Sequence, residues 1–115
     1  MTLSGSTNGR GIKVTTVLPI DGSDTTIHTA VSGTSDTDLI TLFAYNDDTL
    51  DHMLEFGFGG TTSPDDIISM PIPPLAGLVL VVADLPLRNS LVVVASADAA
   101  NLVIVFGYVT RIDVP

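Results

Sequence analysis

Along most of the chain apolar and polar residues alternate at every second position in short runs, and clusters of Asp, Asn, Ser and Gly separate the runs. That period belongs to half-buried strands, and the clusters carry turn chemistry. In the first run Ile12, Val14, Leu18 and Ile20 fall on one face and Lys13 and Thr15 on the other, and Asp21-Gly22-Ser23-Asp24 ends it. Ile27, Thr29 and Val31 alternate with Thr26, His28 and Ala30 before Ser32-Gly33-Thr34-Ser35-Asp36. In Asp38–Tyr45, Leu39, Phe43 and Tyr45 face one way and Ile40, Leu42 and Ala44 the other, and Asn46-Asp47-Asp48-Thr49 predicts a hairpin turn. Asp51–Gly59 alternates with His52, Leu54, Phe56 and Phe58 on one side. Ile67–Ile72 carries Pro71, which places it at a sheet edge because proline cannot donate to a ladder. Leu75–Ala83, Ser90–Ala97 and Leu102–Ile112 complete the series, separated by Asp84–Asn89 and Asp98–Asn101.

Eight such runs with no helical segment between them predict an all-β fold, an antiparallel β-sandwich or jelly roll of about eight strands. A parallel sheet would need crossover helices, and none is available. Met1–Gly11 reads as a flexible N-terminal arm: glycines at 5, 9 and 11 stand among Ser, Thr and Asn. Residues 12–115 then form the single sandwich domain, a size that suits 115 residues in all.

Three runs break the alternation. Val79–Val82, Leu91–Ala95 and Leu102–Phe106 are apolar on both faces, although a sheet with one wet face needs only one. The surplus predicts a contact between copies of the chain, with Val79, Val81, Val92, Val94, Val103 and Val105 as the candidate interface. A closed homo-oligomer is the expected result.

Composition and charge narrow the function. Cysteine and tryptophan are absent, so disulfides and zinc–thiolate sites are excluded. Twelve of the thirteen acids are Asp, a turn and cap residue, which agrees with a chain without helices. Net charge is −9 and unevenly divided. Residues 1–20 hold Arg10 and Lys13 and no acid, giving +2, while residues 21–115 hold all thirteen acids against Arg88 and Arg111, giving −11. A body of −11 repels phosphate backbones, so nucleic acid is not an expected partner. Arg10 and Lys13 make the arm a candidate docking element for an acidic partner. The first residues contain no apolar h-region, and no apolar stretch approaches the roughly 20 residues that cross a bilayer, so neither a leader nor a membrane partner is expected.

Candidate chemistry is sparse. Only His28 and His52 could act as conventional bases; His28, among threonines, reads as exposed on a strand, and His52 as a packed or rim histidine beside Leu54 and Phe56. Asp21-Gly22-Ser23-Asp24 and Asp36-Thr37-Asp38 are fragments of a calcium-loop pattern that neither completes. Gly57-Phe58-Gly59-Gly60 lacks the lysine and helix of a phosphate cradle. No catalytic residue, metal ligand or cofactor is therefore expected. Tyr45 and Tyr108 are the candidates for carbohydrate recognition.

Several stretches resemble the small tailed-bacteriophage virion proteins of the capsid decoration (cement) type. They are Ile27-His28-Thr29-Ala30, Leu42-Phe43-Ala44-Tyr45-Asn46, Phe58 to Asp66, Ala76-Gly77-Leu78-Val79 and Gly107-Tyr108-Val109-Thr110-Arg111-Ile112. The resemblance implies a non-enzymatic β-sandwich on the capsid exterior, made in the host cytoplasm. It would be a homo-oligomer, a trimer by preference, that clamps subunits of the major capsid protein and stabilises the shell. On that reading, deleting Met1–Gly11 leaves the fold intact and weakens capsid attachment. The alternatives are a virion-surface glycan-binding module and another small head or tail component.

Overall fold

The turn clusters fall between strands, and the computed structural model, which describes Met1–Pro115, has eight of them and no helix. They are β1 (Ile12–Lys13), β2 (Thr25–Thr29), β3 (Thr37–Asn46), β4 (His52–Phe58), β5 (Ile67–Ile72), β6 (Val79–Leu87), β7 (Val92–Ala97) and β8 (Val103–Ile112). Two antiparallel sheets of four result, ordered β1-β8-β3-β6 and β2-β7-β4-β5. First pairs with last, second with seventh, third with sixth and fourth with fifth, which is the nested order of a jelly roll. Every connection except β4–β5 carries the chain from one sheet to the other.

The alternation places the core. Ile40, Leu42 and Ala44 of β3 and Val103, Val105 and Val109 of β8 face Leu54 and Phe56 of β4 and Val93, Ala95 and Ala97 of β7, all of them buried. Large and small residues sit side by side across the second sheet, Phe56 opposite Ala95 and Leu54 opposite Ala97, so bulky chains from the first sheet have room between them.

Two boundaries differ from the sequence pattern for local reasons. Of the first run only Ile12–Lys13 is strand, because the chain must then leave one sheet for the other. Val14 bonds with Val103 and Asn101, and Thr16 and Leu18 already bond with Ala97 of β7. The sixth strand begins late and runs on to Leu87, through the expected turn at Asp84. Asp84 takes a φ of 51° within a bulge, where its backbone N–H donates to Thr41 Oγ1 at 3.1 Å. Asp tolerates this left-handed conformation better than most residues.

The largest departure concerns residues 1–11, which are not a free arm. Met1–Leu3 lies against β8: the Met1 nitrogen donates to the Val109 carbonyl oxygen at 2.7 Å, and the Val109 N–H donates back at 2.9 Å. Leu3 is 1% exposed and belongs to the core cluster. It fits because position 107 is glycine; a Cβ there would collide with the Thr41 carbonyl oxygen and approach Leu3 Cδ1 to 3.3 Å. Beyond Leu3 the chain reaches the opposite sheet, where Gly5 N–H donates to Ile27 O at 2.9 Å and Ser4 Oγ accepts from Thr29 N–H at 2.8 Å. The first six residues are a strap across the open side of the sandwich, between the edges of the two sheets.

Candidate functional site

Both histidines are fixed in polar networks, each with both ring nitrogens engaged. His28 is completely buried, against the expectation of an exposed strand position. Its Nδ1 accepts the Ser4 N–H at 3.0 Å, so Nε2 carries the hydrogen and donates to Asp38 Oδ2 at 2.8 Å. Asp38 is tied in turn to Arg111, whose Nε lies 2.7 Å from Oδ1. With both ring nitrogens engaged by strap and strand, His28 joins the strap to β2 and β3 and has no valence left for a substrate. The Ser4 hydroxyl accepts the Thr29 N–H, and Ser4 meets the His28 ring through its backbone N–H.

His52 lies at the rim, where the β3–β4 and β7–β8 turns meet. Its Nε2 is 2.7 Å from Asp48 Oδ2 and its Nδ1 is 2.6 Å from Asp98 Oδ1. The carboxylates sit on opposite ring nitrogens and do not converge on a common point, and no group of three or more ligating side chains is assembled anywhere in the chain. The Asp48 hydrogen bond holds His52 above its ordinary value of 6.5, opposed by burial and helped by Asp98. His52 and the Thr49 N–H hold Asp48 below its ordinary 3.8. A raised histidine stabilises the fold fully below its unfolded value and stops doing so as pH rises through its folded one. A lowered carboxylate contributes fully above its unfolded value and is lost as pH falls. The tie is therefore strongest between about pH 4 and 6.5. Urea midpoints are expected to fall from about pH 6 to about pH 9, and less steeply in His52→Gln. Parallel profiles for the two proteins would show that the tie does not titrate.

The acidic turns are held by hydrogen bonds to backbone and side-chain donors. Asp24 Oδ2 accepts the N–H groups of Asp21 and Gly22, Asp21 accepts from Ser23, and Ser96 donates to Asp24 Oδ1. Asp36 accepts from Val114 N–H at 2.8 Å. The bonds from Asp21, Gly22 and Ser23 shape the turn, and those from Ser96 and Val114 tie Asp24 and Asp36 to β7 and to the C-terminal residues.

The surface that stands out is the outer face of the β1-β8-β3-β6 sheet. Because Ile40, Leu42, Ala44, Val103, Val105 and Val109 point inward, their alternates Leu39, Phe43, Tyr45, Ile104, Phe106 and Tyr108 point outward. Four of the six aromatic side chains of the protein thus share one face. Phe43 is paired with Phe106 across β3 and β8 and with Leu80 across β3 and β6. Leu80 is 51% exposed and Tyr108 49%. The remaining outward positions between Leu39 and Tyr45 and between Ile104 and Thr110 are Thr41 and Thr110. Charges stand at the margins: Lys13 opposite Ile104, Asp84 in the bulge beside Thr41, and Asp47, which accepts the Tyr45 hydroxyl at 3.2 Å. Gly11 packs against Ile104 and Phe106.

Against this face the six expected interface valines divide. Val103 and Val105 are 0% exposed core residues, which corrects their assignment to an interface: the run is apolar on both faces, and the outward members are Ile104 and Phe106. Val79 and Val81 are half-buried and packed against the core. Val92 and Val94, also half-buried, alternate with inward Val93 and so lie on the outer face of the other sheet. The structure does not bring the six together. Arg10 and Lys13 are both exposed, and Lys13, opposite Ile104, borders the aromatic face.

The fold and this face define a small jelly-roll sandwich with one outer sheet surface built from aromatic and aliphatic side chains. No protein-family model matches the chain, and no curated protein and no solved structure matches it.

Proposed function

We propose that this chain is a non-enzymatic virion structural protein that binds the outside of a phage capsid as a homo-oligomer, a trimer by preference, and stabilises the shell. The observation that carries the reading is the outer face of β3 and β8, which bears Phe43, Tyr45, Phe106 and Tyr108 and has no charged residue between Leu39 and Tyr45 or between Ile104 and Thr110. Aromatic enrichment and the absence of charge characterise the centre of a protein interface rather than a solvated sheet face. Two of the segments that resemble decoration proteins, Leu42–Asn46 and Gly107–Ile112, belong to the strands that carry this face. Association through it would leave the acidic turns at the periphery, where their charge keeps particles apart. Several copies held rigidly together would grip neighbouring capsid subunits at once, turning weak contacts into tight attachment. Arg10 and Lys13 supply cations for an acidic patch on the capsid protein.

The test measures mass and capsid binding together. The wild type is expected to sediment as an oligomer and to pellet with undecorated capsids. Phe106→Asp would place a charge in the centre of the face, weakening association by about 30-fold or more and leaving a folded monomer that no longer pellets. A monomeric wild type would overturn the oligomer, and an oligomer that ignores capsids would overturn the decoration role.

The glycan-binding alternative competes for the same surface. Tyr45 and Tyr108 both lie on it, four residues apart along the paired strands or about 13 Å. Saturable saccharide binding that perturbs both tyrosines, without capsid binding, would favour that reading.

A further inference from the structure

The outer face of the β2-β7-β4-β5 sheet carries a cleft that none of these roles uses. Its volume is about 360 Å³, within the range of small-ligand sites. The floor includes Glu55 of β4 and Ser69 of β5, directly opposite each other in the ladder. Pro19 and Ile20, from the crossing between β1 and β2, form one wall, and the β4–β5 loop with Thr61 and Pro64 forms the other. Gly57 lets that loop close down: a Cβ there would stand 2.5 Å from the Gly60 carbonyl oxygen and 3.4 Å from Ile20 Cγ2.

Glu55, the one glutamate of the chain, is unlike the other partly buried acids. Asp48, like the fully buried Asp38, is paired with a histidine or an arginine, and Asp24, Asp36 and Asp66 accept backbone N–H groups. Glu55 takes part in none of the ion pairs, and its single partner is the Ser69 hydroxyl, which donates to Oε2 at 2.9 Å. The floor of the cleft thus holds a positioned carboxylate whose charge nothing neutralises. The walls combine the apolar Pro19, Ile20 and Pro64 with the hydroxyls of Thr61 and Ser63, and carry no aromatic ring on which a sugar could stack. A ligand matching both features has an apolar stem and a cationic head. A guanidinium fits best, because its several N–H donors can reach the carboxylate and the wall hydroxyls together, whereas an ammonium is a point charge. The −11 charge of residues 21–115 raises the local concentration of any such group.

We propose that the Glu55 cleft is a receptor for an arginine side chain presented by a partner protein. The proposal does not depend on the capsid reading, since it specifies the chemistry of the contact and not the identity of the partner. The test titrates the isotope-labelled full chain with the capped peptide Gly-Gly-Arg-Gly-Gly, following backbone amide resonances. Saturating shifts are expected at Glu55, Thr61 and Ser69. Glu55→Gln, which keeps the volume and the bond from Ser69, is expected to weaken binding by about ten-fold, as is replacing the arginine of the peptide by citrulline. Non-saturating shifts, shifts elsewhere, or equal binding by Glu55→Gln would overturn the proposal. Shifts of the same residues by a panel of neutral monosaccharides, with none from the peptide, would also overturn it and give the cleft to a sugar.

Discussion

Asp38→Asn is expected to destabilise the domain by about 3 kcal/mol at neutral pH, the largest effect of any single polar substitution in this protein. The Asp38 side chain is 0% exposed, and it accepts four hydrogen bonds: two from Arg111 at 2.7 and 3.1 Å, one from His28 Nε2 at 2.8 Å and one from the Val31 N–H at 3.1 Å. Burial pushes its carboxyl up, but the bonds from Arg111 and His28, the Arg111 charge and the Val31 amide outweigh that and hold it at about 2. A fall from 3.8 to about 2 corresponds to stability on the order of 2–3 kcal/mol. Because the folded value is depressed, that stability is present above about pH 4 and lost as pH falls towards 2. Asparagine keeps the shape but brings no charge, and it offers one acceptor oxygen where the network uses two. Urea unfolding of both proteins at pH 7 and near pH 2 decides the matter: the difference should be about 3 kcal/mol at pH 7 and shrink sharply in acid. A difference below about 1 kcal/mol at pH 7 would show that the network contributes no more than an exposed pair.

Deleting Met1–Ser6 is expected to lower stability by at least about 4 kcal/mol, or about 15 °C in melting temperature. The deletion removes Leu3 from the core, for which about 3 kcal/mol is typical. It also strips partners from groups that remain: His28 Nδ1 loses the Ser4 N–H, the Ile27 carbonyl loses Gly5, and Val109 loses both bonds to Met1. Total stabilities of small domains are about 5–15 kcal/mol, so the shortened chain would stand close to unfolding. This reverses the expectation that residues 1–11 can be removed with the fold intact. Leu3→Ala alone should account for most of the loss, since the backbone bonds survive in it. A melting temperature within about 3 °C of the wild type after the deletion would show that the strap is peripheral.

Why the strap was not legible as structure follows from its composition. Among glycines, serines and threonines, Leu3 is the one strongly apolar residue after Met1, and a single leucine gives no period. What fixes it is a space beside Gly107, more than a hundred residues away, which no local pattern contains. The strands were legible because turn chemistry is local: Asn46 to Thr49 ends β3, with Asn46 Oδ1 accepting the Asp48 N–H at 3.0 Å. The turn is not the expected hairpin, because β3 and β4 belong to different sheets and the chain crosses between them there. The choice of inner face was not. Leu39, Phe43 and Tyr45 on one side of β3 and Ile40, Leu42 and Ala44 on the other are equally apolar, and Asp38 and Asn46 belong to the second side, which argues for putting it in water. Both polar residues are nevertheless buried, Asp38 by Arg111 and His28, Asn46 by donating its Nδ2 hydrogens to Leu50 O and Ile72 O. The same ambiguity along β8 put Val103 and Val105 at an interface, although their neighbours Ile104 and Phe106 are the residues at the surface. The Glu55 cleft left no signal in the sequence beyond a glutamate that stands alone among aspartates.

The nested strand order also sets a timetable. β8 occupies an interior place in its sheet, bonded to β3 on one side and to both β1 and the strap on the other. Until Val103–Ile112 have left the ribosome, β1 has no neighbour, Leu3 has no Gly107 to lie beside, and β3 can offer its free edge only to β6. Contacts this remote in sequence place folding in the slow range for small domains, roughly milliseconds to seconds. The aromatic face is built jointly by β3 and β8, so it too comes into being only when those two strands pair. A contact made through this surface therefore requires chains in which the first sheet has already closed.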